Sequence, residues 1–144
     1  MRKDSRLSRM LHVILHMAYA KSPLTSEQIA KMIDSNAVVV RRTLAGLREQ
    51  GYVQSTKGHY GGWILNCALE DISLFDIYQA VGQGDLFTLH TETEHPDCLV
   101  EEVVNQSLQS ILNEAENLIV QRLKNIKLSD LSKNFNAGAK LTHF

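Results

Sequence analysis

The sequence of 144 residues predicts a mainly α-helical fold with one small β-hairpin and a long helix near the C-terminus. Apolar residues recur at helical spacing in the first 50 residues and again after residue 98. Between these regions, a short alternating segment, a glycine-rich turn and a second apolar segment predict the hairpin. Apolar residues make up 44% of the chain and charged residues 22%, as in an ordinary globular protein.

The first helix is predicted over residues 5–20, because apolar side chains repeat there every three or four positions. This apolar face consists of Leu7, Met10, Leu11, Ile14, Leu15 and Ala18. A short second helix follows Pro23 and runs to about residue 33. A capping box marks its start, since the Thr25 hydroxyl can accept from the backbone N–H of Gln28 while the Gln28 side chain reaches back.

The third helix is predicted over residues 37–50, with Asn36 as its N-cap and Gly51 just past its end. Two short helices joined by a turn of about three residues, and braced by an earlier helix, form a helix-turn-helix. Strands over residues 52–55 and 63–65 follow directly and are joined by a turn-rich segment. The hairpin is a wing, so the sequence predicts a winged helix-turn-helix.

The remaining residues connect this module to a long helix. Ser73 and Asp76 form a second capping motif, which predicts the start of a helix that ends before Gly82. Residues 85–97 are polar, and we predict that they form a mobile loop. The long helix is predicted over residues 98–126, with one more turn after it. Its apolar stripe consists of Val104, Leu108, Ile111, Leu112, Ala115, Leu118, Ile119, Leu123 and Ile126. Because a domain this small cannot cover such a stripe alone, a second copy of the chain is expected to cover it.

The predicted organisation therefore has four parts. In chain order these are a DNA-binding region over residues 1–66, a connector helix and loop over residues 67–97, a dimerisation helix over residues 98–132 and a flexible tail over residues 133–144.

Charge supports a nucleic-acid partner for the first part. Residues 1–66 carry ten Lys or Arg and four Asp or Glu, a net charge of +6, whereas residues 67–144 carry five and twelve, a net charge of −7. A basic module joined to an acidic one suggests that one half binds a polyanion and the other stays away from it. Together with the helix-turn-helix, this pattern predicts a transcription regulator that binds double-stranded DNA.

Several other classes of protein are disfavoured. No apolar run approaches the roughly 20 residues of a membrane helix, and no signal peptide is recognisable, so we expect a cytoplasmic protein. Two cysteines are too few for a disulfide framework. The sequence has no P-loop, nucleophile elbow or zinc-protease motif, so we expect that it is not an enzyme.

The motifs of the helix-turn-helix, the wing and the connector helix resemble those of one bacterial family. The segments that carry the resemblance are residues 36–44 with Leu47 and Arg48, residues 51–53, residues 57–63, and residues 72–77 with Ala80 and Val81. They are similar to the Rrf-type transcription regulators, which include IscR-, NsrR- and CymR-like proteins, over roughly residues 1–132. The resemblance implies a homodimer that is formed through the long helix and binds a near-palindromic operator.

The candidate DNA-binding residues lie at the start of the third helix and in the wing. They are Asn36, Val38, Val39, Arg41, Arg42, Lys57, His59 and Tyr60. Residues near the N-terminus of a recognition helix contact base edges, and either Arg41 or Arg42 could grip guanine through O6 and N7. Lys57 at the wing tip suits a narrow minor groove, and Tyr60 suits a phosphate. The alternative is that these side chains form only a solvated surface, with Val39 and Val40 in the core.

The number and spacing of the cysteines indicate whether the chain can bind an iron–sulfur cluster. Several members of the resembled family bind an iron–sulfur cluster through three closely spaced cysteines in the loop and at the start of the long helix. This chain has only Cys98 there, and Cys67 falls outside that spacing, so no cluster or other cofactor is expected. A mixed metal site of His90, His95 and Cys98 has irregular spacing, and no metal is expected. Cys98 near a helix N-terminus is either a half-buried structural residue or a redox sensor.

Two functions remain open. The first is a dimeric regulator, which would be a repressor because a protein bound at the operator blocks polymerase. The second is a regulator or adaptor that acts mainly through protein–protein interaction with a metabolic enzyme, for which the acidic residues 85–116 would be the surface.

Overall fold

A computed structural model describes residues 5–82 and 94–134 of the chain. In these two segments the elements are α1 (Arg6–Tyr19), α2 (Ser26–Met32), α3 (Ala37–Glu49), β1 (Val53–Thr56), β2 (Gly62–Leu65), a 3-10 turn (Leu69–Asp71), α4 (Leu74–Ala80), α5 (Leu99–Asn125) and α6 (Leu128–Lys133). The predicted mainly helical fold with one hairpin and a long C-terminal helix is confirmed. Most of the predicted loop over residues 85–97 and nearly all of the predicted tail lie outside the described residues.

The predicted helix starts are confirmed by their hydrogen bonds. The Thr25 hydroxyl accepts from the Gln28 N–H at 3.1 Å, and the Gln28 side-chain oxygen accepts from the Thr25 N–H at 2.9 Å. Ser73 and Asp76 form the same reciprocal pair at 3.1 and 2.8 Å. These bonds satisfy backbone donors that a helix start otherwise leaves without partners, so they fix where α2 and α4 begin.

The buried face of α1 differs from the predicted one. Four of its residues are buried, namely Met10, Val13, Ile14 and Met17. The prediction was wrong for Leu15 and Ala18, which are only half-buried and lie outside the hydrophobic core. Nearly every residue from Met10 to Ala18 is apolar, so the sequence fits two adjacent faces equally well. Packing against β2 and α4 selects between them.

One hydrophobic core joins the winged module to the residues that follow it. Ile72, Ile77 and Leu128 are fully buried in the same cluster as the inward side chains of α1, α2 and α3. The segment before α4 pairs with the segment after α5, where the Leu74 N–H donates to the Ile126 carbonyl and the Leu128 N–H donates to the Ile72 carbonyl, both at 2.9 Å. The C-terminal end of α5 is therefore anchored on the module.

The base of the wing is attached to the start of α2. The backbones of Leu24 and Trp63 exchange two hydrogen bonds, at 2.8 and 3.1 Å. The Trp63 side chain is buried, and its Nε1–H donates to the Ser26 hydroxyl at 3.1 Å. Because both groups are buried, this bond also satisfies two polar atoms that would be costly to leave without partners. The wing is thus held rigidly beside the helix-turn-helix.

No helix within the described residues is both long enough and apolar enough to cross a bilayer.

A glycine allows α3 and α4 to approach each other closely. A Cβ atom at Gly46 would lie 2.8 Å from the Ala80 carbonyl oxygen, which is too close. We expect Gly46→Ala to lower the free energy of unfolding by about 1–3 kcal/mol through overpacking. Intrinsic helix propensity acts in the opposite direction and raises the free energy of unfolding, since alanine is favoured over glycine by about 1 kcal/mol inside a helix. Urea denaturation followed by circular dichroism measures the change.

Glu49 provides the matched control for this substitution. It lies in the same helix and is exposed, so Glu49→Ala is expected to change the stability by no more than about 0.5 kcal/mol. A Gly46→Ala protein that is as stable as the wild type, or more stable, would contradict this prediction. It would show that the α3–α4 contact can relax and that helix propensity determines the effect on stability.

Candidate nucleic-acid interface

Helix α3 is buried on one side and exposed on the other. Val40, Leu44 and Leu47 are completely buried against the core. At its N-terminal end, however, Val38 and Val39 keep 61% and 42% of their surface exposed. An exposed valine pair at the start of a recognition helix matches the apolar contact that reads thymine methyl groups. The interpretation of Val39 as a core residue is therefore wrong, whereas that of Val40 is confirmed.

Asn36 precedes α3 and caps it. Its side-chain oxygen accepts from the Val39 N–H at 3.0 Å, as the sequence predicted. One turn further on, the Thr43 hydroxyl donates to the Val39 carbonyl at 2.9 Å. Both bonds fix the first turn of the helix, so the exposed valines are presented on a rigid backbone.

The two arginines in the N-terminal half of α3 differ in their partners. The Arg41 guanidinium donates to the Glu27 carboxylate at 2.9 Å, across the turn between α2 and α3. Both side chains are more than half exposed, so the ion pair adds little to stability, but it places a negative charge beside the Arg41 guanidinium. Arg42 is exposed and makes no hydrogen bond or ion pair within the described part of the chain. The sequence did not reveal this difference, because Glu27 lies on another helix.

The wing presents three candidate side chains at its tip. Lys57 and His59 are exposed, and Tyr60 is 87% exposed, with its ring edge-on to that of His59 at 4.9 Å between ring centres. The hairpin closes below them, where the Gly62 N–H donates to the Thr56 hydroxyl at 3.1 Å. Gly58 has a φ of +105°, a backbone conformation that side-chain-bearing residues rarely adopt. The tip is thus a tight turn that projects a cation and an aromatic pair.

Arg48 is a residue that the sequence did not single out as functional. Its guanidinium lies over the Trp63 ring, 5.7 Å from the ring centre, and donates to the Ser55 hydroxyl at 3.5 Å. These contacts connect the last turn of α3 to both strands of the wing. Arg48 is therefore a positioning residue that sets the wing relative to α3.

Both cysteines are free thiols and half-buried. The Cys67 thiol donates to the Tyr52 carbonyl at 3.5 Å, and burial, with help from Asp71 and Asp76, raises the pKa of Cys67. A raised pKa keeps the sulfur protonated, which is unfavourable for a metal ligand. Cys98 is half-buried and is the N-cap residue of α5, without a side-chain capping bond. A redox role for Cys98 stays a prediction.

The mixed metal site of His90, His95 and Cys98, which the sequence did not favour, is not tested by the structure. His90 lies outside the described residues, and the described segments contain no group of three or more His, Cys, Asp or Glu side chains that could hold a metal ion. Two cysteines in the whole chain also fall short of the three or four thiolates that iron–sulfur clusters commonly require. The residues of one chain therefore do not fit an all-cysteine cluster.

Helix α5 is exposed along most of its length. It has 27 residues, about 40 Å at the usual rise, and none of them is buried. Only its C-terminal part, at Leu123, packs on the core. The large apolar side chains that remain exposed are Leu99, Val100, Val103, Val104, Leu108, Ile111 and Leu118. Four of these belong to the predicted stripe, and the three at the start of the helix extend it.

Comparison with known proteins gives a consistent result. Residues 4–134 match the family model Rrf2, which is described as an iron-dependent transcriptional regulator. A relative from Bacillus subtilis (strain 168), named as an HTH-type transcriptional regulator, YwnA, is 31% identical over 129 residues, which cover 89% of this chain and 95% of that protein.

Solved structures share the fold. A transcriptional regulator structure from Lactobacillus plantarum has a TM-score of 0.76 and 22% identity, and the match covers 93% of this chain and 91% of that one. The structure of T. potens IscR has a TM-score of 0.66 and 21% identity, with 99% and 94% covered. At these identities the likeness concerns the fold, and it agrees with the winged module and long helix described above.

Proposed function

The chain belongs to the Rrf2 family of transcriptional regulators, and we propose that it is a homodimeric repressor that binds a near-palindromic operator through α3 and the wing. The observation that carries the proposal is the N-terminal half of α3. There Val38, Val39 and Arg42 are exposed at helical spacing, while the opposite side of the same helix is buried. A helix held in this way can enter a major groove without unfolding any part of the core.

We assign base recognition to Arg42 rather than Arg41. Arg42 makes no bond within the described residues, so its guanidinium is available for the O6 and N7 atoms of guanine. Arg41 already pairs with Glu27, and the carboxylate repels phosphates, so Arg41 acts as a weaker contact to the DNA backbone. Asn36 contributes mainly by capping the helix.

The wing contacts are assigned by charge and position. Lys57 and His59 at the hairpin tip suit a narrow minor groove, where the negative potential is enhanced. The Tyr60 hydroxyl suits a phosphate oxygen, because the side chain is almost fully exposed. Arg48 supports these contacts indirectly, through Trp63 and Ser55.

The dimer is assigned to α5. Its exposed apolar side chains continue along a helix whose C-terminal end alone is anchored on the core. A second copy of the same helix would cover them and place two recognition helices on one operator. A protein-interaction role through the acidic segment is not supported by the family model or by the relative YwnA, both of which are described as transcriptional regulators.

We propose that this regulator works without an iron–sulfur cluster. One chain offers two cysteines, and the Cys67 thiol is engaged with the Tyr52 carbonyl. Protein purified without oxygen is expected to have no absorption band in the visible region. A cluster-type absorption band that persists in the Cys67→Ser and Cys98→Ser variants would show that the cluster has ligands other than cysteine. A band that is present in the wild type and lost in these variants would show a cluster shared between subunits. Either result contradicts the proposal.

Selection of bound fragments from genomic DNA tests the function itself. We expect an enriched inverted repeat that is bound at least about a thousandfold more tightly than random DNA, with an affinity that falls steeply as salt rises. Recovery of no common sequence, or equal affinity for enriched and random fragments, would contradict the proposed function.

Peroxide treatment of the wild type and of Cys98→Ser, followed by the same binding assay, tests the redox hypothesis for Cys98. The hypothesis fails if peroxide leaves the operator affinity of the two proteins alike.

A further inference from the structure

A pair of histidines on α1 has no part in the proposed DNA interface. His12 and His16 are one helical turn apart, and their Nε2 atoms lie 2.8 Å from each other, with 4.6 Å between ring centres. His12 is exposed and His16 is half-buried. Both rings therefore direct their Nε2 atoms to the same point at the protein surface.

This distance matches that between two ligands of one metal ion. Imidazole nitrogens bind transition metals at about 2.0–2.1 Å, so two of them at right angles around a metal are about 2.9 Å apart, and at the tetrahedral angle about 3.4 Å. The observed 2.8 Å needs only a small ring rotation to reach either value. Two histidines at positions i and i+4 of a helix are also the spacing that zinc-binding helices use.

The described residues offer no third ligand of the His, Cys, Asp or Glu type beside the histidine pair, so water would occupy the remaining positions around a bound ion. Water can reach the pair, because His12 is exposed. His16 also borders a cavity of about 340 Å³, whose lining includes Ser22, Gln28 and the cationic Lys21.

We propose that His12 and His16 form a two-histidine site for a borderline divalent cation such as Cu²⁺, Ni²⁺ or Zn²⁺. On binding, the metal replaces the hydrogen bond between the two Nε2 atoms, and each ring carries its proton on Nδ1. Among these cations Cu²⁺ binds most tightly, as expected for nitrogen ligands. The ion bridges two turns of α1 and therefore stabilises the folded chain.

Titration of the untagged protein with Cu²⁺ tests the site, with electron paramagnetic resonance as the readout. We expect one saturable Cu²⁺ per chain, with a spectrum that reports two imidazole nitrogens, and an increase in melting temperature. His12→Ala and His16→Ala should each weaken Cu²⁺ binding at least about tenfold. His12 is exposed, so its variant remains informative even if His16→Ala folds poorly.

His95→Ala provides the matched control, because it removes an exposed histidine from another part of the chain. It should bind Cu²⁺ as the wild type does. The proposal is overturned if no protein binds Cu²⁺ saturably, or if His12→Ala binds it with wild-type affinity. Since no DNA is present, the outcome is independent of whether the operator proposal holds.

Discussion

The Arg42→Ala variant is expected to bind the operator about 5- to 150-fold more weakly than the wild type, which corresponds to the loss of about 1–3 kcal/mol for one base-reading arginine. The reason is structural, since Arg41 is paired with Glu27 and Arg48 contacts the wing, whereas Arg42 makes no such contact within the described residues. The variant should also discriminate less between operators that differ at the contacted base pair. Fluorescence anisotropy with matched and mismatched operators, at several salt concentrations, measures both effects.

The neighbouring cations should behave differently from Arg42. Lys57→Ala is expected to weaken binding to operator and random DNA alike and to reduce the salt slope by about 1, because a lysine at the minor groove responds to the negative potential there and makes no base-specific hydrogen bond. Glu27→Gln should strengthen binding to all DNA, since it releases Arg41 from its ion pair. Neither substitution should change the preferred sequence.

Lys133→Ala serves as the control for loss of charge, because it removes an exposed cation from α6 instead of α3. It should leave operator affinity near the wild-type value. If Arg42→Ala binds operator and random DNA with unchanged affinity and an unchanged salt slope, Arg42 does not contact DNA, and its assignment as the base-reading arginine is wrong.

The features that the sequence predicted well are those with local causes. Thr25 with Gln28, and Ser73 with Asp76, each lie within four residues of one another, so their capping boxes were visible without any tertiary information. The hairpin followed from alternating side chains and glycines. The exposed stripe of α5 followed from helical spacing alone.

The features that it did not predict depend on distant partners. The 2.8 Å approach of Gly46 to the Ala80 carbonyl involves two helices that are separated by the whole wing. The ion pair of Glu27 with Arg41 spans 14 positions, and it is what distinguishes two arginines that look equivalent in the sequence. The buried face of α1 was ambiguous for the same reason, since only its neighbours select between two apolar faces. Leu128, fully buried in the shared core, was likewise indistinguishable from a residue of a peripheral turn.

The Ile111→Glu/Leu118→Glu double variant is expected to be monomeric and to bind the operator at least about a hundredfold more weakly than the wild type. These side chains are 62% and 66% exposed in the single chain, so glutamate there costs the isolated fold little. In a dimer the same positions would be buried against a second α5, where unpaired carboxylates are strongly unfavourable. Sedimentation velocity measures the mass, and circular dichroism checks the fold.

The large loss of affinity has a simple origin. When two recognition helices are joined, binding of the first half-site raises the effective concentration of the second, which typically strengthens binding by about 10²- to 10⁴-fold. A monomer loses this gain although every DNA contact of its own remains. The double variant should therefore bind an isolated half-site as tightly as the full operator, whereas the wild type should strongly prefer the full operator.

Asn113→Glu is the matched control, because it adds a negative charge to the same helix at an exposed position on the side opposite Ile111 and Leu118. It should remain dimeric and bind the operator normally. If the double variant stays dimeric, the interface lies elsewhere than on α5. If it is monomeric yet keeps wild-type affinity for the full operator, one subunit is sufficient for recognition, and the exposed apolar face of α5 must bind a partner other than a second copy of the chain.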